Sequence, residues 1–415
     1  MPVFPSLVRI STLARALPLV CVLTGATLGA VEFTPPTPEQ VRDALGPLDD
    51  ESSVARHLLA PDASFAPIDA PAPGDWLAEH EEPGQTFAMF ASQEARRPTA
   101  TRRLIYLQPL GEFHADSSPS LEALRDYAAA FFQIDVVLLP ADVLESAAFE
   151  PRINPRSGKY QLRSTAILGW LHERLPDDAF CMVAVTMQDL YPAPSWNFVY
   201  GQASPAQRTG VFSFARNDPL FFGHDRPDDF DALMLRRSAK TLVHEIAHLF
   251  GMAHCIHYRC VENGVNHQAE SDSRPHHLCP VCLRKLQHAT GADLERRYRD
   301  LAYFYSNHSG WEEEEAWVRG QLARLQRPDA LPPKKLFRDF PVAPVPQLDS
   351  PPHITPPSPP ERTSPEPAVP DAPATQDLPG FLPPPAPAPQ PSSEAAAPPI
   401  PTPTLATDAL IALGR

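Results

Sequence analysis

From Leu104 onward, apolar residues arrive alternately in short unbroken runs and in stretches with helical periodicity, the pattern of strands alternating with helices. LIYLQPL (Leu104–Leu110) reads as a buried strand, Ser120–Phe132 as a helix and IDVVLLP (Ile134–Pro140) as a second strand. Leu162–Leu175 follows as a helix and Phe180–Thr186 as a third strand. Two more strand-like runs, WNFVYG (Trp196–Gly201) and GVFSFAR (Gly210–Arg216), precede a long helix from near Asp231 to Gly251. In that helix Leu233, Leu235, Leu242, Val243, Ile246, Ala247 and Phe250 supply an apolar body that holds the histidines rigidly. The predicted fold class is α/β with a largely parallel sheet.

Upstream, Thr37-Pro38-Glu39-Gln40 combines an N-cap, a proline at the first helical position and a capping glutamine, predicting a short helix to Leu45. The stretch from there to Pro83 is rich in Pro, Ala and Asp and reads as a loosely packed lead-in. Of 53 prolines in 415 residues, roughly half fall between Pro332 and Pro403. Such a run has too little apolar periodicity to offset the entropy of ordering, so it reads as an extended or disordered tail. Its PxxP segments are either ligands for aromatic-groove domains or a plain spacer. LATDALIALGR, at residues 405–415, reads as a short amphipathic helix.

The first thirty residues lack acidic side chains, carry Arg9 and Arg15, and then run apolar from Ala16 to Ala30. That pattern predicts a signal peptide and export, with an uncleaved membrane anchor or a cytoplasmic chain as the alternatives. A net charge of -15, with no basic stripe, argues against a nucleic-acid partner.

The chemistry concentrates at HEIAHLFGMAH, His244 to His254. On a helix His244 and His248 project from one face and can share one metal ion, while Glu245 sits beside them as a base for water. Gly251 can end the helix in a backbone conformation few other residues adopt, turning the chain so that His254 becomes a third ligand. Three protein ligands leave a position for water, which distinguishes a catalytic zinc from a closed structural one. Cys255, Cys260, Cys279 and Cys282 follow at once. Two thiolate pairs joined by a short loop fit a second, structural zinc, the competing reading being two disulfides. His257, His267, His276 and His277 read as solvated loop residues, and Cys181 as a buried thiol.

HExxHxxGxxHC followed by CxxxxC and a distant CxxC resembles the archaemetzincins. GDWLAEHEEPGQTF (Gly74–Phe87), LIYLQPLG (Leu104–Gly111), DLYPAPSWNFVYGQAS (Asp189–Ser204), GVFSFAR and LCPVCLRKLQHATG (Leu278–Gly291) look like blocks of the animal-type members. The resemblance implies a metzincin-like zincin domain with a mixed, mostly parallel twisted sheet, an active-site helix, a four-cysteine zinc knuckle and two zinc ions per chain. It further implies a zinc metallopeptidase acting on peptides or proteins, aminopeptidase-like in the animal-type members, with an antiparallel edge strand near WNFVYGQAS that pairs with substrate. The resulting division is a leader at 1–30, a lead-in at 31–73, the peptidase domain at 74–330 and the Pro-rich tail at 331–415.

The chain departs from the family pattern at Glu262, where a methionine is expected beneath the histidines, and no methionine follows Met252. The Cys260 to Cys279 spacing is also one residue short. A carboxylate in an apolar site needs hydrogen bonds or a cation. Active hydrolysis through Glu245 is the expectation; a catalytically impaired, zinc-stabilised binding module is the alternative.

Overall fold

The computed structural model describes residues 33–93, 96–143, 146–325 and 411–412. The expected leader and nearly all of the Pro-rich tail lie outside them. Four short helices come first: α1 (Pro38–Leu45), α2 (Ser53–Leu59), α3 (Trp76–Glu79) and α4 (Phe87–Ser92). Then follow β1 (Leu104–Leu110), α5 (Leu121–Phe132), β2 (Val136–Leu138), β3 (Arg152–Ile153), β4 (Tyr160–Arg163) and α6 (Ser164–Glu173). Strands β5 (Ala179–Thr186), β6 (Asp189–Tyr191), β7 (Gly201–Ser204) and β8 (Thr209–Ser213) lead into the long helix α7 (Phe230–Leu249). Helices α8 (Gln268–Ser273), α9 (Pro280–Thr290), α10 (Leu294–Ser306) and α11 (Glu312–Ala323) close the domain, and β9 (Ile411–Ala412) returns to the sheet.

The main sheet runs β2-β1-β5-β8-β7-β9. Its first four strands are mutually parallel and β7 is antiparallel to β8. β5 is buried at every position, as a central strand covered on both faces requires, and this is why AFCMVAVT reads as an unbroken apolar run. On one face α5, α7, α9 and α10 share a core with Phe131, Phe212, Leu242 and Leu286; on the other, α6 packs Ile167, Leu168 and Leu171 against Met182 and Val211. A small second sheet, β3-β4-β6, is an element the sequence pattern does not predict.

The capping box of α1 forms as expected, with Thr37 Oγ1 accepting from the Gln40 amide and Gln40 Oε1 from the Thr37 amide. The lead-in differs from expectation: Val41, Ala44 and Leu45 of α1 and Ala55, Leu58 and Leu59 of α2 join the main core. Those apolar positions have a helical period, which the surrounding Pro and Asp obscure in composition. WNFVYG also differs. Trp196–Tyr200 is loop, tied by the Val199 amide to the Leu190 carbonyl, and the strand begins only at Gly201. The predicted helix at residues 405–415 is instead extended at Ile411–Ala412, where β7 offers it an edge. Among the described residues no helix is long and apolar enough to cross a membrane.

Candidate active site and metal centres

Helix α7 carries no glycine or proline within its span and ends where Gly251 adopts φ +89°, its amide donating to the His248 carbonyl at 2.9 Å. The turn delivers His254 to the face that His244 and His248 already share. All three are buried, and their candidate ligand nitrogens lie within 4.8 Å of one another. Each ring is oriented from behind through Nδ1: His244 to the Val261 carbonyl at 2.8 Å, His248 to the Met252 carbonyl at 2.7 Å, and His254 to Glu82 Oε1 at 2.7 Å. Nε2 is thereby left as the inward-facing nitrogen. Those of His244 and His248 are 3.2 Å apart, and that of His254 is buried with no hydrogen-bond partner. Burial, reinforced by the neighbouring imidazoles, pushes His244 down to about 3 and His248 down as well, so their rings are neutral with lone pairs available. Three converging imidazoles, each held from behind by a backbone or carboxylate partner, fit a divalent metal.

Glu245 is fully buried and neither of its oxygens has a partner; burial raises its carboxyl to about 8. Strand β7 lies directly against it. A Cβ on Gly201 would stand 2.9 Å from both Cδ and Oε1 of Glu245 and 2.7 Å from the Phe212 ring, so only glycine lets the strand come this close.

Two site residues escaped the motif. Glu82 binds His254 and also accepts from Trp76 Nε1 at 2.9 Å, while the Trp76 ring meets His254 edge-on at 5.0 Å. Burial pushes the Glu82 carboxyl up, but the hydrogen bond from His254 and that from Trp76 outweigh it and hold it low. Both lie in the Gly74–Phe87 block, the only signal in the sequence that pointed to them. Tyr200, Lys240 and Gln268 line an open pocket beside His244 and Glu245.

Cys255, Cys260, Cys279 and Cys282 are buried, unbridged thiols whose sulfurs lie within 4.8 Å of one another, a cluster that could hold one metal ion. Asn263 fastens their loop, donating to the Cys255 carbonyl at 2.7 Å and the Tyr258 carbonyl at 2.9 Å and accepting from the Cys260 amide at 2.8 Å. Hydrogen bonds from the other three thiols hold Cys255 well below the usual range, while Cys260 and Cys279, chiefly by burial, and Cys282, chiefly through Cys255, are pushed up. Glu262 is fully buried, and neither oxygen has a partner. Burial pushes its carboxyl well up, with Cys255 and Glu245 adding to the rise and Lys285 opposing it.

The other histidines depart in part from the solvated reading. His257 and His276 are buried, and His277 stacks on Trp317 at 3.8 Å; His276 sits between the Arg236 carbonyl and Glu314. Of these four only His267 is exposed, capping α8 beside Asp75. Cys181 is a buried free thiol, as predicted.

The model of peptidase family M54 matches residues 135–288. Archaemetzincin-2 of Macaca fascicularis is 36% identical over 272 residues, spanning 59% of this chain and 76% of that protein. Human archaemetzincin-1 is 34% identical over 254 residues, spanning 55% and 51%. Among solved structures, archaemetzincin from Archaeoglobus fulgidus, complexed with malonate, is 29% identical with a TM-score of 0.34, covering 44% of this chain and 99% of that one. An identity of 36% sustained across three quarters of an archaemetzincin-2 shows that this chain belongs to the archaemetzincin family of zinc metallopeptidases.

Proposed function

We propose that this protein hydrolyses peptide bonds with His244, His248 and His254 holding a catalytic zinc, Glu245 acting as general base and acid, and Cys255, Cys260, Cys279 and Cys282 holding a second, structural zinc. The observation that carries the reading is Glu245: a buried carboxylate without a protein partner, beside three imidazoles whose Nε2 atoms converge. Zinc at that point supplies Lewis acidity, lowering the pKa of water toward about 7 and polarising the scissile carbonyl. Glu245 accepts the proton as water attacks, then returns it to the leaving amine. His254 is kept in place by Glu82, and the close approach of Gly201 confines the Glu245 carboxylate.

Glu262 favours a second reading, in which the same chain is a catalytically impaired, zinc-stabilised binding module, because an unpartnered buried carboxyl lies near Glu245 where an apolar support is expected. One experiment separates the two. Zinc per chain is measured by elemental analysis on the same sample that is offered a broad peptide library, with and without chelator, the products being read by mass spectrometry. Two zinc ions and chelator-sensitive cleavage support the peptidase, and the positions of the cuts report whether N-terminal residues are trimmed. Two zinc ions with no cleavage support the binding module. Glu245→Gln should keep both ions while lowering turnover by roughly a hundredfold or more; full activity in that variant would sink the mechanism.

A further inference from the structure

Strand β7 is next to last in the main sheet, paired on its inner side with β8. Its outer side is taken by the chain itself: Ile411 and Ala412 lie antiparallel to it, with Gln202 opposite Ala412 and Ala203 opposite Ile411. An open strand edge presents main-chain donors and acceptors that any extended peptide can satisfy, whatever its side chains. Here the edge begins at Gly201, whose backbone packs on the Glu245 carboxylate. A chain laid along β7 therefore runs beside the proposed base, and the edge that suits an extended substrate is the one Ile411–Ala412 covers.

We infer that the segment around Ile411 is a built-in competitor for the substrate edge, lowering the enzyme's affinity for extended peptides by strand pairing in cis. The inference rests on the peptidase reading for its effect on activity, but not for the pairing. Among the described residues the ladder is two pairs long, short enough for substrate to displace. The covalent connection through residues 326–410 keeps the segment at a local concentration that a free peptide of such weak affinity would not reach. The competition needs no bond chemistry, and it acts on KM rather than on the hydrolytic step.

The test compares the full chain, a chain lacking residues 408–415, and a full chain carrying both Ile411→Pro and Ala412→Pro, which removes two main-chain donors. Zinc content is matched, and cleavage of an internally quenched peptide is followed. Both altered chains should show KM lower by roughly three- to tenfold with kcat unchanged. A synthetic peptide of residues 404–415 should inhibit the shortened chain competitively. Equal KM in all three chains, with no inhibition by the peptide, overturns the inference. If no chain cleaves anything, the peptidase reading fails by itself, and hydrogen exchange of the β7 amides decides the pairing: faster exchange in the shortened chain supports it, and equal exchange overturns it.

Discussion

The Val261 carbonyl accepts the hydrogen bond that orients His244, at 2.8 Å, and Val261 is the residue immediately after Cys260. The loop closed by the four cysteines therefore also sets the ring angle of a proposed catalytic ligand. A second tie runs through the Val261 amide, which donates to the His277 carbonyl just ahead of Cys279. Removing sulfur from the knuckle should thus be felt at the histidines. Cys279→Ser and Cys282→Ser are expected to lose the structural zinc and to weaken the catalytic zinc by roughly ten- to a hundredfold, as loss of an outer partner does. Competition with a coloured chelator measures it, and unchanged affinity at the histidine site would separate the two centres.

Glu82 is the charged partner of His254 across 172 positions of sequence. Glu82→Ala leaves Nδ1 of a buried ring without an acceptor and should lower affinity for the catalytic zinc by about ten- to a hundredfold. Glu82→Gln retains an acceptor oxygen without the charge and should fall between. Calorimetric titration of the metal-free variants with zinc gives the order, and an alanine variant equal to wild type would remove Glu82 from the site.

Gly201→Ala forces a methyl group against Glu245 and Phe212. The expected result is a kcat lowered by roughly a hundredfold, with zinc content intact, because a displacement of about 1 Å at a reacting group has that scale of effect. An alanine variant with full kcat would show that β7 yields at no cost.

Glu262 should be replaceable to advantage. A buried carboxyl whose oxygens have no partner costs about 1–3 kcal/mol that an apolar side chain of similar size does not. Glu262→Met is expected to raise the unfolding midpoint of the zinc-loaded protein and to keep peptide cleavage. A lower midpoint would mean that the carboxyl is held by an interaction worth more than its burial costs.

Lys240 gives a pH signature. Its ammonium donates to the carbonyls of Ser271 and Arg274 at 2.7 and 2.6 Å, yet burial lowers it from 10.5 to about 8. Below pH 8 both folded and unfolded chains hold this proton, and the group contributes no slope. Between 8 and 10.5 the unfolded chain binds more of it, so its contribution to stability rises with pH and levels off above 10.5. Denaturant unfolding of zinc-saturated protein across this window should show that rise, and Lys240→Met should lack it. Parallel curves for the two proteins would count against the depressed value.

What the sequence settled by itself was whatever depends on short spacing. Helix α7 sets His244 and His248 one turn apart, Gly251 supplies the positive φ that turns the chain, and α1 carries its capping box in four consecutive residues. β1, β5 and α5 are likewise legible, because a buried strand or an amphipathic helix must repeat its apolar positions whatever it packs against. Tertiary structure alone decided the rest: that Glu82 braces His254, that Gly201 touches Glu245, that α1 and α2 enter the core, that Glu262 is buried, and that β7 finds its outer partner in Ile411–Ala412. Each of these joins positions far apart in the chain or depends on which neighbours surround a side chain. Periodicity records which face of an element is apolar, but not what that face will meet.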